Sequence, residues 1–130
     1  MFIIQSTRIV KEMKVMGKIG VVGSINMDMT VKAERIPLKG ETVKGGELKY
    51  IPGGKGANQA VAMAKLGAKV EMFGCVGNDA AGASLVKNMQ EAGVETKCIR
   101  TVAGMPTGLA MITVGDDGII KTDIKVMQGR

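Results

Sequence analysis

An α/β fold carrying a small exposed β flap is what this 130-residue chain predicts, and three features carry the prediction. Short apolar runs ending in glycine alternate with helical stripes, the pattern of buried parallel strands joined by crossover helices. Extended pieces within 29–51 precede the first helix and break that alternation. A glycine-rich turn, Pro52-Gly53-Gly54-Lys55-Gly56, then feeds the helix.

The elements follow in order. Residues 1–16 have no clean period and read as a leader, with Met16-Gly17-Lys18-Ile19 as the natural start of the folded chain. Residues 19–23 (I-G-V-V-G) form a continuous apolar run suited to a buried strand, and 24–28 read as a polar loop at its carboxyl end. Residues 29–33 alternate weakly, 36–40 make a turn around Pro37, and 41–51 hold two extended pieces broken by Gly45-Gly46. The first helix starts near Gly56 and buries Ala57, Ala60, Val61 and Ala64; Leu66 closes the stripe and Gly67 ends it. Residues 68–77 read as a second buried strand. Asn78 or Asp79 caps the next helix, whose inward face is Leu85, Val86 and Met89, and Gly93 ends it. Residues 96–102 and 109–114 are further strands, Gly115-Asp116-Asp117-Gly118 is a hairpin turn, and Ile119-Ile120 starts the return.

Composition limits both core and chemistry. Apolar residues make up 45% of the chain but only three are aromatic, so the core is aliphatic, with Met63, Met72 and Met89 as filler. No apolar run approaches the roughly 20 residues of a membrane-spanning helix, and the Phe2-Ile3-Ile4 cluster is too short for a secretory signal. The chain reads as cytoplasmic, with Cys75 and Cys98 as reduced thiols. It contains no histidine, which excludes His-based catalysis, and two distant cysteines exclude CxxC redox and zinc chemistry. The net charge of +6 sits in the two tails, and no basic patch interleaves with aromatics. Nucleic acid is therefore not an expected partner.

The turn at 53–56 is the chemically informative stretch. Glycines entering a helix let backbone N–H groups approach negative or polar atoms. A P-loop needs Ser or Thr after its Lys, whereas Gly56 follows Lys55. A dinucleotide fingerprint read from Gly54 needs Gly or Ala where Gln59 stands. Both phosphate motifs fail, and pattern alone leaves a tight strand–helix turn as the competing reading. Asn26 and Asp28 read equally as a pair that holds vicinal hydroxyls or as ordinary Asx-turn residues. Glu41 reads as a solvated carboxylate.

The longer pattern adds more. Gly53-Gly54-Lys55-Gly56-Ala57-Asn58-Gln59-Ala60 is followed after six residues by Gly67 and after nine more by Gly77. Together with Gly23-Ser24-Ile25-Asn26-Met27-Asp28, Pro37-Leu38-Lys39-Gly40-Glu41-Thr42, Gly74-Cys75-Val76-Gly77-Asn78-Asp79 and Pro106-Thr107-Gly108, this resembles the ribokinase-like (pfkB) carbohydrate kinases. Within that family the runs are most similar to those of the ribokinases. The resemblance covers about residues 18–115.

The resemblance implies a partial three-layer sheet with a β lid, the folded part spanning 17–120 and the lid strands lying within 29–51 and 109–114. It implies a small sugar such as ribose as ligand, held by residues matching Asn26, Asp28, Gly53, Gly54, Lys55 and Asn58, with Ala110 and Ile112 packing on the ring. It implies ATP, Mg²⁺ and a monovalent cation for full-length members, and a homodimer formed through the lid. Val31, Val43, Leu48, Ile51, Leu109, Met111 and Ile112 are the residues available for that contact. No residue matches the family's catalytic Asp, since Gly115-Asp116-Asp117-Gly118 lacks the pattern of its Gly-Ala-Gly-Asp loop. Residues 121–130 form a divergent tail that drifts from the family's expected strand. The expectation is the amino-terminal, sugar-binding portion of a kinase, inactive alone and weak in cofactor binding. The alternative is a non-catalytic sugar-binding or lid-mediated assembly module.

Overall fold

The computed structural model describes residues 17–126, so the leader 1–16 and the last four residues lie outside the described residues. Among the described residues seven strands and two helices run in the order β1 (Lys18–Val22), β2 (Asn26–Ala33), β3 (Gly45–Gly53), α1 (Lys55–Lys65), β4 (Lys69–Gly77), α2 (Ala80–Glu91), β5 (Ile99–Val102), β6 (Gly108–Val114) and β7 (Ile120–Val126). They form two sheets. The first is parallel with strand order β1-β4-β5; the second has order β3-β2-β6-β7, with β2 and β6 parallel and its outer pairs antiparallel.

Alternation along β4 decides where the helices go. Val70, Met72 and Val76 point to one face and are buried with Ala57 and Ala60 of α1 and Leu85 and Met89 of α2. Val21 of β1 joins them, as does Met27 of β2, which ties the second sheet to the core. The opposite face of the parallel sheet carries Phe73, and Val22 at its end is 85% exposed, so both helices form a single layer among the described residues.

The helix boundaries follow local chemistry. Gly67 has φ +92 and Gly93 φ +89, so each takes the left-handed turn that ends its helix. Of the two candidate caps for α2, Asp79 does the capping, its carboxylate accepting from the Gly82 N–H at 2.8 Å.

Several expectations need correction. Asn26 and Asp28 stand in strand β2 rather than in a loop, because β2 pairs from its first residue with both β3 and β6. Leu66 does not close the buried stripe: it is the C-cap of α1 and 59% exposed. Residues 41–44 form no strand, and β3 begins at Gly45. The strand expected at 96–102 narrows to Ile99–Val102, with Glu95 bridging to Glu71. The first part of the tail read as divergent in sequence is strand β7, which runs to Val126 beside β6. Its turn is the hairpin expected at 115–118, closed by the Gly118 N–H donating to the Gly115 carbonyl at 2.9 Å.

Candidate functional site

The site is assembled where three strand ends meet. Asn26 at the start of β2 lies opposite Gly53 at the end of β3 and Gly108 at the start of β6. Two residues further along, Asp28 lies opposite Ile51 and Ala110, and beyond it Thr30 lies opposite Lys49 and Ile112. Because strand side chains repeat with period two, Asn26, Asp28, Ala110 and Ile112 share one face of this sheet. Met27 and Leu109 occupy the other face and pack against the core.

Within that face the polar pair is preorganised. The Asn26 Nδ2 donates to Asp28 Oδ1 at 2.7 Å, which orients the amide against the carboxylate. Gly53 makes room for it: a Cβ there would lie 2.5 Å from the Asp28 carboxylate carbon and both of its oxygens. Gly54 follows with φ +98, and a side chain on it would approach the Ile25 Cα to 3.0 Å. This glycine pair therefore brings bare backbone against Asp28 on one side and the β1–β2 connection on the other.

Helix α1 opens at the edge of the same face. Gly54 is its N-cap and supplies no side-chain acceptor, and the first turn holds no acidic residue. Lys55 is instead the first helical residue and is exposed, a cation at the positive end of a helix dipole. That placement weakens the helix slightly and gives the rim of the site a positive edge. The Ala57 N–H donates to the Ser24 carbonyl at 3.1 Å, fixing the helix entry to the end of β1. Asn58 is exposed one turn into α1 and lines a neighbouring groove with Pro52, Val61 and Lys65 against Asn88 and Glu91 of α2.

Two interactions escaped the sequence reading. Glu41 is not merely solvated: both its oxygens accept from the Arg35 guanidinium, and Oε2 also accepts from the Leu38 N–H at 2.9 Å. The guanidinium first, and that N–H second, hold its carboxyl down at about 2. The other is Thr107, which is buried against Asp79. Its hydroxyl donates to Asp79 Oδ1 at 2.5 Å and accepts from the Gly77 N–H at 3.0 Å, while its own N–H donates to Asp79 Oδ2 at 2.8 Å. The Thr107 hydroxyl and N–H, then the Gly82 N–H, hold the Asp79 carboxyl below its usual range. The signal for this pair lay in the motifs at 74–79 and 106–108, which sequence placed separately.

Charged side chains also gather at the far end of the parallel sheet. The Lys18 ammonium lies 3.1 Å from Glu71 and 2.6 Å from Glu95, and the Cys98 thiol donates to Glu71 at 3.2 Å. That hydrogen bond raises the thiol above its ordinary range and lowers the carboxyl of Glu71.

Comparison with known proteins adds to this geometry. Residues 16–124 match the model of the pfkB family carbohydrate kinases. The chain belongs to that family. Among pfkB relatives it is 48% identical over 103 residues to a ribokinase of Lactococcus lactis subsp. lactis, covering 78% of this chain and 34% of that protein. It is 44% identical over 107 residues to a ribokinase of Bacillus subtilis, covering 81% and 36%. The structure of Arabidopsis thaliana ribokinase complexed with ribose and ATP superposes with a TM-score of 0.76 at 36% identity, covering 85% of this chain and 36% of that one. The chain thus spans about a third of the length of the curated relatives it matches. Its α/β sheet and lid sheet are a partial pfkB fold of the ribokinase type.

Proposed function

We propose that this chain supplies the sugar-holding face and lid of an ATP-dependent carbohydrate kinase, with a ribose hydroxyl as phosphoryl acceptor. The observation that carries the reading is the Asn26–Asp28 pair set beside Gly53 and Ala110. Asp28 accepts from sugar hydroxyls, Asn26 offers a donor and an acceptor, and half-buried Ile112 gives the ring an apolar surface beside the buried Ala110. Gly53 and Gly54 permit close backbone approach, with Lys55 and Asn58 completing the rim. Such hydrogen-bonding sites discriminate strongly, because a substrate lacking a hydroxyl leaves polar groups unpaired. That the Arabidopsis ribokinase holds ribose and ATP supports the choice of ligand.

ATP with Mg²⁺ supplies the transferred phosphoryl group and the neutralisation of its charge. Among the described residues no three His, Cys, Asp or Glu side chains gather into a metal-holding group, and a Mg²⁺ carried on nucleotide phosphates needs only one or two protein carboxylates. In this reading the nucleotide, the metal and a monovalent cation belong to regions of pfkB kinases that this chain does not match, and the 130 residues alone turn nothing over. Isothermal titration with ribose beside a coupled ATP assay tests both halves. Binding without turnover is expected; no heat with ribose removes the sugar reading.

A second reading, assembly through the lid, is favoured by its exposed apolar residues. Leu48, Tyr50 and Met111 are 45%, 63% and 43% exposed, and Val31 lies opposite Leu48. Leu109 leaves the set of available residues, since it packs on the core. A homodimer would cover this surface and one edge strand of the sheet.

A further inference from the structure

The lid sheet joins the parallel sheet at three strand ends, and their covalent restraint differs. The start of β2 is separated from β1 by three residues, 23–25, and the end of β3 from α1 by Gly54 alone. The start of β6 hangs on a five-residue loop, 103–107, in which Gly104 has φ +72 and open space around its Cβ position. By chain length alone β6 is the loosest of the three. Yet Gly108, its first residue, must sit beside Asn26 for Ala110 to reach Asp28.

The loop is pinned at its last residue. Thr107 is 7% exposed, and its hydroxyl and N–H both reach the carboxylate that caps α2. Two glycines keep the surface beneath it flat. A Cβ on Gly77 would lie 2.5 Å from the Thr107 nitrogen, and one on Gly82 would lie 2.9 Å from its hydroxyl oxygen. One carboxylate thus serves two jobs: Oδ1 caps the helix while both oxygens hold the loop.

We infer that Asp79 and Thr107 are positioning residues for the sugar face, latching the base of β6 to the N-terminus of α2 and so holding Ala110 and Ile112 beside Asn26 and Asp28. The inference rests on the sugar-binding reading for its consequence, but the latch has a readout of its own. Without the Thr107 hydroxyl, Asp79 still caps α2 and still accepts from the Thr107 N–H, but the Gly77 N–H loses its acceptor and the base of β6 keeps only that one bond to α2 beside its pairing with β2 and β7.

The test uses the full chain, with amide hydrogen exchange and ribose titration on the same samples. For Thr107→Val the expected result is exchange about tenfold faster in β6, β2 and at the Gly77 N–H, unchanged exchange in α1 and in β4 before Gly77, and ribose affinity weakened about tenfold. Thr107→Ser restores both to near the wild-type value. Should Thr107→Val fail to fold, Asp79→Asn keeps an oxygen for the Gly82 N–H while removing the charge, and the same selective loosening is expected. Exchange that rises equally in β4 and α1, or stays at the wild-type rate in β6, overturns the latch, as does failure of the serine variant to rescue. If the wild-type chain binds no ribose, the sugar reading falls, and the exchange contrast alone decides the latch.

Discussion

Gly23 and Gly56 meet backbone to backbone where β1 ends and α1 begins: a Cβ on Gly56 would lie 2.8 Å from the Gly23 Cα, and one on Gly23 2.9 Å from the Gly56 Cα. Neither neighbour is a side chain that can swing away. Two opposing effects follow for Gly56→Ala. Alanine is the better helix former by about 1 kcal/mol, but overpacking against fixed backbone costs about 1–3 kcal/mol. The steric term wins, and chemical denaturation should show a net loss of stability.

At Gly53 the expected outcome differs. The atoms a Cβ would meet belong to the Asp28 carboxylate, the far end of a side chain. Gly53→Ala should therefore keep the fold while displacing Asp28. Loss of charged hydrogen bonds of about 1.5–3 kcal/mol corresponds to roughly 10- to 100-fold weaker ribose binding. Titration calorimetry should give that loss for Gly53→Ala and Asp28→Ala alike, with melting of the glycine variant near that of the parent.

Glu41 gives a pH prediction with a definite sign. Its carboxyl titrates at about 2 in the folded turn, below the ordinary 4.5, because the Arg35 guanidinium and then the Leu38 N–H favour the charged form. The pair's contribution to the turn is fully present above about pH 4.5 and is lost as pH falls through about 2. Carboxyl-carbon NMR should place the Glu41 midpoint there, and Arg35→Gln should move it up toward the ordinary value. A midpoint near 4.5 in the parent chain would contradict the fork.

The lid surface predicts association. Leu48→Lys places a charge on an exposed apolar strand that is an edge of its sheet among the described residues. Light scattering at micromolar concentration should find dimers or larger species for the parent and a smaller species for the variant. A stable parent monomer would remove the assembly reading and leave the sugar site untouched.

Turnover is the simplest measurement. The chain incubated with ribose, ATP and Mg²⁺ should form no phosphoribose above a control without protein. Product above that control would show that catalysis needs no residues beyond these.

Much of this protein was legible in its sequence because much of it is local. Glycine after an apolar stripe ends a helix by its own backbone freedom, so Gly67 and Gly93 could be placed without a neighbour in view. Helical spacing likewise separated the buried Ala57, Ala60, Leu85 and Met89 from their exposed neighbours. The candidate sugar residues Asn26 and Asp28 are singled out by the ordered motifs of the family resemblance, while their local pattern alone reads equally as an Asx turn. What the tertiary structure alone decided depends on partners distant in the chain. Asn26 and Asp28 became strand residues only because β3 and β6 pair with them from both sides, a choice that overrides turn propensity. Leu66 is exposed because the helix ends in its cap before the stripe can use it. The latch joins residues 28 apart, and no local pattern tells a buried threonine which carboxylate it will meet.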